Sequence, residues 1–176
     1  MSFIKLIIGF LPKGRIGNYI RTRFWRLNLR NSTIVYFGHQ ANIVGKNKLE
    51  LGLNFTFGDY ASIEIGMSDP VFIGDDVSLA RFTYIRSANH NFSSTEIAIR
   101  TQGHTSKVIE YKEKNYSIVV ENDVLIGAFS IILSGTHIKK GSVVAAGSVL
   151  SGTYPEYSVI VGNPARVIGN RETRID

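Results

Sequence analysis

The chain contains no cysteine, so disulfides, thiolate metal sites and a cysteine nucleophile are all excluded. It also lacks an apolar run long enough to span a bilayer: Met1 to Leu11 is too short and Lys5 interrupts it. No small-residue cleavage site follows that stretch, which argues against a secretory leader. Acidic residues are missing from residues 1–49, where Lys5, Lys13, Arg15, Arg21, Arg23, Arg26, Arg30, Lys46 and Lys48 occur without one Asp or Glu. The formal net charge of +6 is therefore concentrated at one end of the molecule. No helix-turn-helix spacing, zinc finger or RNP-like aromatic motif accompanies it, so nucleic acid is not indicated as a partner. Low-complexity tracts are absent too, and 176 residues suit one folded domain rather than two.

What is present is a rhythm. Val120, Ile126, Ile132, Ile138, Val144 and Leu150 recur every six positions, with Gly127, Gly135, Gly141, Gly147 and small residues such as Ala128, Ser134, Ala145, Ala146 and Ser148 between them. Six matches neither the 3.6-residue period of a helix nor simple strand alternation. It matches a chain that turns a corner every few residues and returns an aliphatic side chain to one interior line, the pattern of a parallel β-helix. No coil can bury such a column alone, so stability must come from stacking coil upon coil.

The rhythm starts loosely at Ile34, with Phe37, Ile43, Leu51, Phe57 and Ile63, and continues after a slip with Ile73, Leu79 and Ile85. The slip puts extra residues at a corner near Met67 to Pro70. Ile73-Gly74-Asp75-Asp76-Val77 mirrors the later Asn122-Asp123-Val124 region. A longer break from Arg86 to about Ser117 is polar and carries His90 and His104. A loop of that length inside a compact repeat points to function, and only Ile97 to Ile99 within it has the composition of a short strand. Ahead of the repeat, Tyr19 to Leu29 reads as a short amphipathic basic helix with Ile20, Phe24, Leu27 and Trp25 on its apolar side. Such a segment can cap the open end of a solenoid or meet an anionic membrane surface, and one helix can do both. The chain thus divides into a basic helical cap over residues 1–33, the repeat domain over 34–168 with its loop at 86–117, and a charged tail over 169–176.

The segments NDVLIGAFSIIL, VVAAGSVL and VIVGNPARVI resemble the hexapeptide-repeat acyltransferases, in particular maltose and galactoside acetyltransferases and the O-acetyltransferases that modify bacterial surface polysaccharides. The resemblance implies an all-β fold, a left-handed parallel β-helix of triangular section, with a short N-terminal helical segment and a long inserted loop. It further implies a homotrimer with active sites between neighbouring copies, acetyl-CoA as donor, no metal, and a saccharide hydroxyl as acceptor in a lipopolysaccharide, capsule or exopolysaccharide precursor. By the same resemblance His90, in SANHNF, is the catalytic base, with His104 as runner-up. His39 and His137 receive no role. The matching CoA-binding positions are Ala128, Ala146, Ser151, Gly152 and Arg166, and Asp69 and Arg86 are placed to contact the acceptor. A cytoplasmic protein, at the inner face of a membrane through its basic N-terminus, fits this reading.

The chain departs from the family pattern at four positions. Leu125 stands where relatives commonly carry Trp, Gly152 replaces a frequent Lys, Gly169 a frequent Arg, and Tyr60 an Asn of the sugar acetyltransferases. Arg171 and Lys139 are the remaining cations available to a CoA phosphate. A small-molecule or sugar-amine acetyltransferase and a non-catalytic β-helix binding module are the alternatives. A three-histidine zinc enzyme of the same fold is disfavoured, because no three histidines fall where adjacent coils would join them.

Overall fold

A computed structural model of the protein describes residues 3–29, 33–66 and 70–173. The chain winds as a left-handed parallel β-helix. Among the described residues, three parallel sheets form the faces of a prism. The first face stacks Ile34–Phe37, Phe55–Phe57, Ser78–Leu79, Leu125–Ile126, Val143–Val144 and Ser158–Gly162. The second holds Asn42–Val44, Ser62–Glu64, Tyr84–Arg86, Ile131–Leu133 and Val149–Leu150. The third holds Leu49–Leu51, Val71–Ile73, Ile118–Val120, Thr136–Ile138 and Thr153–Tyr154. Each of the first five coils contributes one strand to each face, and Ser158–Gly162 adds a sixth parallel strand to the first. The hexad residues Val120, Ile126, Ile132, Ile138, Val144 and Leu150 are all buried, as are Phe37, Ile43, Phe57, Ile63, Ile73, Leu79 and Ile85. Each fully buried aliphatic side chain is worth about 1.5–3 kcal/mol relative to exposure, so the column holds the fold.

The first edge, between the first and second faces, is the same in every coil: residues 38–41, 58–61, 80–83, 127–130 and 145–148. Its first position is Gly or Ala and its fourth is a buried small residue, from Ala41 to Ser148. The third position is left-handed throughout, at Gln40, Tyr60, Phe82, Phe129 and Gly147. The second edge, between the second and third faces, is where the chain expands. Its connections are residues 45–48, 65–70, 87–117, 134–135 and 151–152. The slip in the rhythm and the long loop therefore belong to one side of the prism. The mirrored Asp-rich motifs meet on the third edge, where the Asp123 amide donates to the Asp75 carbonyl at 2.9 Å.

Two helices precede the repeat, α1 (Phe3–Phe10) and α2 (Arg15–Asn28). α2 extends the expected Tyr19–Leu29 segment by a turn, and α1 forms where the sequence suggested only an apolar stretch. The buried side of α2 also differs from expectation. Leu27 and Ile20 are exposed, whereas Gly17, Arg21, Thr22 and Trp25 are buried. Trp25 stacks on Phe37 at 4.6 Å, Phe37 meets Phe57 at 4.9 Å, and the helix thereby covers the first coil. Arg21 is inside because its guanidinium donates to acceptors around it: the Leu11 carbonyl at 2.6 Å, the Phe37 carbonyl at 3.4 Å and the Asn18 side chain. A Cβ at Gly17 would sit 2.1 Å from the Pro12 carbonyl oxygen, so only glycine permits this close approach of α2 to the α1–α2 link. At the opposite end, Ser158–Gly162 pairs antiparallel with Ala165–Asn170 and closes the stack.

Candidate active site

The long second-edge loop has two parts. In the first, Asn89–His90 pairs antiparallel with His104–Thr105, placing His90 directly opposite His104. The two imidazoles lie 4.5 Å apart, inclined by 36°, and both residues are exposed. Between them Gln102 ties the excursion to itself through the Ser94 and Ile97 carbonyls at 2.8 and 3.0 Å. The expected strand at Ile97–Ile99 is instead a bend leading into a 3-10 turn at Ile99–Thr101. In the second part, Ile109–Tyr111 and Lys114–Tyr116 form a hairpin that lies over the third face, with Phe72 between Tyr111 and Tyr116 at 5.1 and 5.6 Å. The Tyr116 hydroxyl donates to Glu50 at 2.8 Å; burial and that carboxylate push the phenol well above its ordinary range. The base of the loop is fixed and its histidine-bearing tip projects.

Arg86 precedes the loop. Its guanidinium bonds Glu64 and the Tyr84 hydroxyl, both at 3.1 Å, and the Ala88 carbonyl at 2.9 Å. Those contacts make it a brace beneath His90. Asp69 lies outside the described residues.

Ala128 and Ala146 occupy the second position of the first edge, in the column His39, Asp59, Arg81, Ala128, Ala146. Gly147 donates to the Ala128 carbonyl at 2.8 Å, whereas the amides of Ala128 and Ala146 themselves find no acceptor among the described residues. A Cβ at Gly127 would lie 2.5 Å from the Ala146 nitrogen, so these coils are as close as backbone allows. The two corners stack closely, and their alanine amides lie along the edge without an acceptor among the described residues. Arg166 continues that line from the terminal hairpin; it is exposed and has no acidic partner among the described residues. Ser151 and Gly152 are elsewhere, on the second edge beside the third face, where the Gly152 carbonyl accepts from His137 at 2.9 Å. The five expected CoA-binding residues thus divide between two edges of one chain, and His90 shares the edge of Ser151 and Gly152. Lys139 is on the third edge and Arg171 bonds Asp123 and the Gly141 carbonyl there, away from both.

Several residues at the first edge had no sequence assignment. A groove of about 400 Å³ beside it is lined by Tyr36, Asp59, Arg81 and Ala128 among others. Asp59 is buried, which opposes its charge. The His39 amide at 2.9 Å, the Tyr36 hydroxyl at 2.8 Å and Lys13 at 3.1 Å outweigh burial and hold the carboxyl down to about 2. Burial, the same hydrogen bond and the Asp59 charge push the Tyr36 phenol up to about 12. Arg81 faces the groove without an acidic partner among the described residues. Outside the groove Tyr60, Phe82 and Phe129 form a ladder with ring centroids 4.9 and 4.7 Å apart and planes within 2° and 9° of parallel. The only sequence signal for the ladder is an aromatic residue at the same corner position of three successive coils. For Asp59 it is an acid where neighbouring coils carry neither sign consistently.

Residues 117–152 match the profile of the bacterial transferase hexapeptide family (six repeats), and the fold is a left-handed β-helix. Among solved structures, a maltose O-acetyltransferase from Clostridium difficile 630 is 25% identical, with TM-score 0.63, over 95% of this chain and 82% of that one. A galactoside acetyltransferase in complex with coenzyme A shares the fold at TM-score 0.68 and 20% identity, over 96% and 77% of the two chains. A probable acetyltransferase of Mycobacterium tuberculosis is 29% identical over 134 residues, 76% of this chain. A 2,3,4,5-tetrahydropyridine-2,6-dicarboxylate N-acetyltransferase of Staphylococcus aureus is 45% identical over 51 residues, 29% of this chain. The chain spans 39% and 21% of the lengths of these two relatives. No group of three or more His, Asp or Glu among the described residues could hold a metal ion, and no helix among them is long and apolar enough to cross a membrane.

Proposed function

We propose that the protein transfers the acetyl group of acetyl-CoA to a saccharide hydroxyl in a cell-surface polysaccharide precursor, on the cytoplasmic side of the membrane. The observation that carries this reading is the division of the site. The Ala128–Ala146–Arg166 line and the His90 loop lie on different edges of one prism, separated by the second face, which at three residues of about 3.3 Å each is about 10 Å wide. A complete site forms when the first edge of one copy faces the second edge of the next, as in a closed ring of three. Exposed Phe92, Ile97, Ile99 and Val108 on the loop are then covered by the neighbour.

In that arrangement the pantetheine arm lies along the corner alanines, bonding their free amides, and Arg166 meets a CoA phosphate. Ser151 and Gly152 of the adjoining copy close the other side. The acceptor occupies the side of the groove marked by Arg81, Asp59 and Tyr36. His90 takes the proton of the acceptor hydroxyl as its oxygen attacks the thioester carbonyl. The tetrahedral oxyanion is stabilised by a corner amide, Ala128's being one coil beyond the strand that leads into His90. The intermediate collapses with cleavage of the C–S bond, the acetyl ester is formed, and the imidazolium returns its proton to the departing CoA thiolate.

The test is thiol release from acetyl-CoA with nucleotide sugars, free oligosaccharides, lipid-linked sugars and amino sugars offered in parallel. Release with a hydroxyl acceptor, lost in His90→Ala, supports the proposal. Release only with an amine would give the N-acetyltransferase reading. No CoA binding by calorimetry at millimolar ligand would leave a non-catalytic scaffold.

A further inference from the structure

The helical hairpin at the start of the chain presents an apolar surface that the molecule does not cover. On α1, Phe3, Ile4, Leu6, Ile7 and Phe10 are 43–74% exposed, although the helix is only eight residues long. On α2 Leu27, expected to face inward, is 76% exposed, and Ile16 and Tyr19 are 78% and 65% exposed. A scatter of single exposed aliphatics is ordinary on a protein surface, whereas so many on two neighbouring short helices mark an interaction site. α1 is tied to the body by its backbone, the Gly9 carbonyl accepting from Gln40 at 3.1 Å, and Leu6 and Phe10 line a cavity over Trp25 and Phe37, while Phe3, Ile4 and Ile7 are exposed.

Charge identifies the occupant. Exposed Arg15, Arg23 and Arg26 line a groove of about 600 Å³ on α2 together with Tyr19 and Leu27, and none has an acidic partner among the described residues. Residues 1–49 contain no acid at all. Cationic side chains beside large apolar ones, with an aromatic between, match the interface of an anionic bilayer. The apolar side chains enter the acyl boundary there and the guanidinium groups meet phosphate. An acidic protein partner would be offered the same charge but would have no use for five unpaired apolar side chains on a single short helix.

We infer that α1 and the outer side of α2 dock the protein on a bilayer rich in anionic phospholipid. The inference goes beyond acetyl transfer and does not depend on it: Tyr36 lines both this groove and the one beside Asp59, but Ile4, Ile7, Arg15 and Arg23, on which the test rests, line only the helical surface or lie outside the candidate site.

The experiment is co-sedimentation of the full chain with vesicles of phosphatidylglycerol and phosphatidylcholine, or of phosphatidylcholine alone, with light scattering for oligomeric mass. The chain is expected to partition into the anionic vesicles at least tenfold more strongly and to be released by high salt. Arg15→Gln with Arg23→Gln is expected to weaken binding roughly 30-fold, and Ile4→Glu with Ile7→Glu to abolish it without changing the melting temperature. No binding to anionic vesicles, or Ile4→Glu/Ile7→Glu binding like the parent, would overturn the inference. A lower oligomeric mass in that double variant would assign the face to a second copy and overturn it equally. Loss of CoA binding in any variant would bear on the transfer chemistry alone.

Discussion

The first and second edges of the prism are built from the same repeat and behave oppositely. Four residues turn the first edge in every coil, its third position is always left-handed, and side chains stack in columns from His39 to Ala146 and from Tyr60 to Phe129. The second edge takes whatever length the coil supplies, from residues 134–135 to residues 87–117. A regular edge gives a straight channel with a repeating amide, suited to a long donor of fixed chemistry. An irregular edge gives a loop that can reach across to a neighbouring copy and carry a reactive side chain. On the proposed reading, the corner alanines that hold the donor belong to the former and the histidine that activates the acceptor to the latter.

Substitutions that silence one edge at a time test this division. His90→Ala is expected to lower turnover by about 10³-fold, within the usual range for loss of a general base, with oligomeric mass unchanged by light scattering. Co-expressing that variant with Ala146→Trp, itself inactive, should restore measurable thiol release, because mixed oligomers contain some sites with both edges intact. Failure of that restoration would put the whole site on one copy. Asp59→Asn should cost about 2 kcal/mol in a denaturant melt near neutrality, since a carboxyl held at about 2 against an ordinary 3.8 stabilises the fold by that order. The sign follows from the depressed value: the stabilisation is full above about pH 4 and fades as pH falls toward 2, where variant and parent should converge. The Tyr36 phenol of the variant should titrate below the parent's value of about 12 by ultraviolet absorbance, with burial still holding it above the ordinary range. Ala146→Trp alone should weaken CoA at least tenfold by calorimetry, because the indole fills the channel beside the free amides. The smallest effect is expected at the loop's anchor: Lys114→Ala removes an exposed ion pair to Glu50 at 3.0 Å and should change stability by less than about 0.5 kcal/mol.

The coils were legible in the sequence because one aliphatic residue per strand leaves a six-residue signal that nothing else produces. The two expansions were visible as breaks in it, though not that both fall on one edge, since period alone does not distinguish corners. Arg21 was misread for a physical reason: amphipathicity assumes that cations face water, and here a guanidinium is worth more among the carbonyls of the helix link and first coil. The partition of Ala128 and Ala146 from Ser151 and Gly152 was likewise hidden, because residues only a few positions apart can turn a corner between them. The Tyr60–Phe82–Phe129 ladder is spaced by the coil lengths that intervene, so it becomes a column only once those coils are wound.

Parallel strands stack about 4.8 Å apart, so every coil is a fixed step along the prism axis. The helical hairpin seals the first step and His90 leaves from the third. A molecule standing on that hairpin would hold its imidazole roughly 20 Å above the lipid surface, one helix diameter plus two coil steps. On the proposed reading, an acceptor anchored in the same leaflet would have to present its reactive hydroxyl at that elevation, so the number of coils below the loop would fix how far from the lipid the reaction takes place.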